Sequence, residues 1–116
     1  MAEDLKILQK VFDMMGYAYP ALAQFPKSEK FALVTDIKKS MDALLKLCIT
    51  ARKKYHKQTT LRDMDVELAT LQAYVRLSAN LGFLSPKKYQ VWSGMLVEIG
   101  KMLGGWIKAV EGRKSS

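Results

Sequence analysis

Val34-Thr35-Asp36-Ile37-Lys38-Lys39-Ser40-Met41-Asp42-Ala43-Leu44-Leu45-Lys46-Leu47-Cys48-Ile49-Thr50-Ala51 is the stretch whose pattern decides the fold. Val34, Ile37, Met41, Leu44, Cys48, Ala51 and then Tyr55 follow at steps of 3, 4, 3, 4, 3 and 4. Such steps return a side chain to one side of a helix of ~3.6 residues per turn, so these residues form a single apolar seam. Leu45 and Ile49 add a second stripe beside it. The pattern predicts a helix over about 28–57.

Three further segments carry the same signature. Leu5, Leu8, Phe12, Met15 and Tyr19 predict a helix over about 3–18, with a corner at Pro20 and Pro26, because each proline disfavours helix at the residue before it. Leu61, Met64, Leu68, Leu71, Val75 and Ser78 predict a helix over about 60–81. Thr60 with Asp63 resembles a capping box at its start, and Gly82 suits a left-handed stop. Tyr89, Trp92, Leu96, Ile99, Leu103, Trp106 and Val110 predict a helix over about 86–110, opened by Ser85 as N-cap and Pro86 in the first turn, and followed by a polar tail over 112–116. No strand alternation and no internal repeat is present. The expected fold is all-α, one domain over 1–116, an up-and-down four-helix bundle. Ile7, Val11 and Met14, then Tyr74, Leu77 and Leu81, then Val91, Met95 and Met102 form second apolar stripes. These read either as a wide core contact or as surface left for another subunit.

The 116 residues suffice for one domain with a real core, and 49% of them are apolar or aromatic, which excludes disorder. One cysteine excludes an intrachain disulfide, no apolar run approaches a membrane span, and the charged start does not resemble a signal peptide. The default is a soluble cytoplasmic protein without membrane contact. The net charge of +8 is uneven. Residues 20–57 carry nine basic and three acidic side chains, and residues 85–116 carry six and two. A surplus confined to two segments predicts a positive face that attracts polyanions.

Catalysis is poorly supplied. His56 and Cys48 are each the only residue of their type, both on the second helix, and no third group orients them as base and nucleophile. No phosphate-binding glycine loop and no diiron spacing occurs. Asp63, Asp65 and Glu67 complement the start of a helix rather than a metal, so no cofactor is expected. Cys48, Trp92 and Trp106 sit on seams and read as core. Lys39, Lys46 and Lys53 recur every seven positions, and Arg52, Lys54 and Lys57 cluster at the end of the second helix. Lys87 and Lys88 occupy the first turn of the fourth, where the helix dipole disfavours them. Lys101, Lys108, Arg113 and Lys114 continue that surface. With no base-reading motif, these cations predict sequence-independent, salt-dependent binding of a nucleic-acid backbone. Gly100, Gly104 and Gly105 each cost about 1 kcal/mol inside a helix relative to alanine, which predicts close approach of another backbone, in the bundle or from another subunit.

The segment Tyr17-Ala-Tyr-Pro-Ala-Leu-Ala-Gln-Phe-Pro-Lys-Ser-Glu-Lys-Phe31 resembles the corner between the first two helices in the bundle family that includes products of intervening sequences in ribosomal RNA genes. Leu84-Ser-Pro-Lys-Lys-Tyr89 with Val97-Glu-Ile-Gly-Lys-Met-Leu-Gly-Gly-Trp-Ile-Lys-Ala-Val110 resembles, more specifically, the last helix of the accessory variability determinant proteins of diversity-generating retroelements. That resemblance spans about 5–114. It implies a non-enzymatic homopentameric barrel that binds the retroelement's reverse transcriptase, its template RNA and the RNA–cDNA hybrid during mutagenic copying. It also implies a polymerase contact on the third helix, where relatives carry two basic residues one turn apart. The matching positions are Gln72 and Arg76, of which only Arg76 is basic. The alternative is a bundle of the intervening-sequence type, a structural or interaction module without a polymerase.

Overall fold

The structure is a computed structural model that describes the backbone of residues 3–115 and the side chains of 4–112. Among the described residues it contains α1 (Glu3–Ala23), a 3₁₀ turn (Lys27–Glu29), α2 (Leu33–Lys53), α3 (Gln58–Asn80) and α4 (Pro86–Ser115). The short connections force neighbours to run antiparallel. The helices form a ring in which α1 touches α2 and α4, α3 touches α2 and α4, and the pairs α1/α3 and α2/α4 lie across the diagonals. The rod measures 51 × 24 × 22 Å. Polar contacts cross each seam among the described residues: Arg52 to Asp4 between α1 and α2, Ser40 to Glu67 between α2 and α3, Arg62 to Glu111 between α3 and α4, and Lys10 to Glu98 between α1 and α4.

The seams predicted for the last three helices are where the core lies. Val34, Ile37, Met41, Leu44, Cys48 and Ala51 from α2 meet Leu61, Met64, Leu68, Leu71, Val75 and Ser78 from α3, and all are buried. From α4, Trp92, Leu96, Ile99, Leu103 and Trp106 close the interior. At the end of α3, Gly82 has φ +81°, with Gly82 N–H donating to Ala79 C=O and Phe83 N–H to Ser78 C=O, a complete Schellman stop. Ser85 caps α4 as expected, its Oγ accepting from Lys88 N–H at 3.2 Å.

The first helix differs from expectation. Its core face is Ile7, Val11, Met14, Ala18 and Leu22, whereas Leu5, Phe12 and Tyr19 are exposed. Both stripes are apolar at helical spacing, and the more compact one, ending in Ala18 and Ala21, packs closest between α2 and α4. The helix also runs through Pro20 to Ala23. One lost backbone hydrogen bond is offset by burying Ala21, Leu22 and Phe25 beyond it.

Other boundaries shift for local reasons. The expected start of the second helix at Ser28 is a single 3₁₀ turn, and α2 begins at Leu33. It ends at Lys53, with Lys54 extended, because α1 begins opposite Arg52 and offers Tyr55 no seam to enter. Tyr55 is 90% exposed rather than on the apolar face. Gln58 starts α3 without a side-chain cap, so Thr60 and Asp63 form no capping box; Thr60 is buried in the first turn. Finally, α4 continues through the supposed tail to Ser115.

Candidate nucleic-acid interface

The antiparallel ring sends the C-terminus of α2, the N-terminus of α3 and the C-terminus of α4 to one end of the rod, and the 3₁₀ turn, the start of α2 and the start of α4 to the other. The predicted cations therefore do not form one positive face. Lys53, Lys54, Lys57 and Lys108 lie at one end, and Lys87 and Lys88 at the other. The stripes of α2 and α4 occupy diagonal corners, so the Lys39–Lys46–Lys53 ladder and the Lys101–Lys108 pair look away from each other.

Within the first end the cations are not equivalent. Arg52 donates to Asp4 Oδ2 at 2.9 Å, both side chains about a quarter exposed, and is a tie between helices rather than a free charge. That bond is the chief reason the Asp4 carboxyl is held below its ordinary value. Lys54 Nζ donates to Thr60 Oγ1 at 3.4 Å, and Lys57 Nζ lies 5.7 Å from the centre of the Trp106 ring. Neither contact neutralises the charge. Lys53 is exposed and makes no ion pair among the described residues. The same holds for Lys39, Lys101 and Lys108. Lys46 meets Asp42 one turn away at 3.1 Å, an exposed pair of little strength that a polyanion can displace. The side chains of Arg113 and Lys114 lie outside the described residues.

At the opposite end, sequence reasoning missed a groove of about 460 Å³ at the α1–α2 corner, with Tyr19, Phe25 and Pro26 in its wall and Lys27, Lys30 and Lys38 around it. Lys38 Nζ sits 4.9 Å from the centre of the Tyr19 ring. The available signal was the run Lys38-Lys39, of which only Lys39 falls on the seven-residue repeat. Tyr55 was missed as well, because its spacing continues the buried seam.

Gln72 and Arg76 line one shallow groove between α3 and α4, together with Ala73, Tyr89, Ser93 and Val97. The face on the other side of the rod, between α1 and α2, carries the exposed Leu5, Phe12, Tyr19 and Ile49. The glycines of α4 do not bring helices together inside the chain. A Cβ at Gly100 would meet Leu68 Cδ2 at 3.5 Å, an ordinary contact, and one at Gly104 or Gly105 would meet nothing within 4 Å. This overturns close approach within the bundle as their reason.

The catalytic inventory stays apart. Cys48 is buried in the core, where desolvation pushes its thiol up to about 11, while His56 stands in the exposed α2–α3 loop. Among the described residues no three His, Cys, Asp or Glu side chains are placed to hold a metal, and no helix is long and apolar enough to cross a membrane. Glu67 instead accepts a hydrogen bond from Ser40 Oγ at 2.7 Å.

Among curated proteins, none matches the chain. A family model described as bAvd-like matches residues 5–110, which takes in nearly all of the four helices, and the chain belongs to the bAvd-like family, the family of accessory variability determinant proteins.

Proposed function

We propose that this chain is a non-enzymatic accessory subunit of a diversity-generating retroelement. It binds the element's reverse transcriptase and its template RNA or RNA–cDNA hybrid, and it supports mutagenic copying by positioning rather than by chemistry. The match to the bAvd-like family over residues 5–110 carries this reading. The outward lysines of α2 and α4 support it, because exposed cations on rigid helices attract a phosphate backbone without selecting bases. In this reading Arg76 and Gln72 face the polymerase from their shared groove. The subunits assemble, as a pentamer, through the apolar α1–α2 face and the side-chain-free surface at Gly104 and Gly105. The location is the cytoplasm.

Co-expression of the chain with the reverse transcriptase and template RNA of its element tests the proposal. The expected result is co-purification of polymerase and RNA, and cDNA synthesis that fails without the chain. Arg76→Glu is expected to reduce polymerase capture while leaving RNA affinity unchanged. Polymerase that neither co-purifies with the chain nor depends on it contradicts the proposal and favours a bundle of the intervening-sequence type.

A further inference from the structure

We propose that the α2–α3 loop is a platform for an unpaired base of single-stranded nucleic acid, with Tyr55 stacking on the base and Lys53, Lys54 and Lys57 holding the neighbouring phosphates. The proposal rests on the nucleic-acid reading above and adds to it a preference and a residue.

Tyr55 is 90% exposed at the tip of a loop that the bundle does not need it to fill. An isolated exposed aromatic is ordinary; this one stands among cations that no carboxylate neutralises among the described residues. His56 meets it edge to face, ring centres 4.8 Å apart, and so steadies the ring while covering at most one of its faces. The other face is open. Lys54 and Lys57 are tethered beside it to Thr60 and Trp106 through contacts that leave their charge intact. The α2 ladder leads toward the same point, since Lys39, Lys46 and Lys53 recur every seven residues, about 10 Å apart along the axis.

Cations alone would accept any polyanion. A bare aromatic face beside them discriminates, because bases inside a duplex are stacked on one another and have no face to offer, whereas an unpaired base does.

The test measures binding of the full chain to a ten-nucleotide uridine strand and to an abasic strand with the same phosphates, at one low salt concentration. Circular dichroism checks that each variant stays folded. Tyr55→Ala is expected to weaken binding of the uridine strand about 5- to 150-fold and to leave the abasic strand unchanged. Tyr55→Phe retains wild-type binding. Lys53→Gln weakens both strands alike and, in a salt titration, makes the slope of log affinity against log salt shallower by about 0.7. Equal affinity of wild type and Tyr55→Ala for the uridine strand overturns the platform while the nucleic-acid reading stands. Equal loss on both strands also overturns it, since Tyr55 would then be shaping the loop. A wild-type chain that binds neither strand overturns both.

Discussion

At the scale of single residues, burial and one ion pair decide what titrates and what reacts. Cys48 was legible as core from the heptad steps, and the structure adds the consequence that its thiol, pushed up to about 11, is almost wholly protonated near neutrality. Ellman's reagent is therefore expected to leave the folded chain unmodified at pH 8 and to label one thiol on denaturation; rapid labelling of folded protein would contradict the burial. Arg52 was legible only as one more cation, because its partner Asp4 is 48 positions away and periodicity says nothing about which side chains meet between helices. The Asp4 carboxyl sits below its ordinary value, so the pair stabilises the fold above the unfolded value of about 3.9, and that contribution disappears as pH falls through the lowered folded value. Both side chains are partly solvated, which limits the pair to about 1 kcal/mol at pH 7. Urea unfolding is expected to show Arg52→Ala less stable than wild type by up to that amount at pH 7, with the gap narrowing toward pH 2. A gap that widens on acidification would contradict the assignment.

At the scale of elements, the stop and start signals were readable where local chemistry alone sets them. Gly82 and Ser85 occupy the conformations that their residue types favour. Gly82→Ala should cost about 1–2 kcal/mol, since it forces a Cβ into the left-handed region, whereas Gly94→Ala, inside α4 with nothing within 4 Å of the new methyl, should gain about 0.5–1 kcal/mol. Thermal melts of the two variants should shift in opposite directions. What was not readable depended on neighbours. Two apolar stripes compete on α1, and only packing between α2 and α4 selects the one that contains Val11 and Met14 over the one that contains Phe12 and Tyr19. Pro20 was a valid local argument for a corner, overridden by the burial of Leu22 and Phe25. Tyr55 continued the heptad arithmetic one step past the end of the bundle.

At the scale of the whole molecule, four seams with short connectors made the up-and-down bundle legible, but not its diagonals. Charge sums along the chain place cations on the second and fourth helices, and the ring order then turns these helices away from each other, giving two basic ends and an α2 ladder that runs into one of them instead of one face. The same order sets the apolar α1–α2 side opposite the Gln72–Arg76 groove. Phe12→Asp, on an exposed position, should leave the helical signal intact and dissolve the proposed assembly to single chains in light scattering; an unchanged particle mass would place the subunit contact elsewhere. The proposed role depends above all on the α2 ladder touching a polyanionic strand, and the salt dependence of template-RNA binding probes that contact without intermediaries. Replacing Lys39, Lys46 and Lys53 together by Gln should weaken binding and make the slope of log affinity against log salt shallower by about 2, or roughly 0.7 for each phosphate that is no longer neutralised. The same slope and affinity in the triple variant as in wild type would contradict the ladder's role.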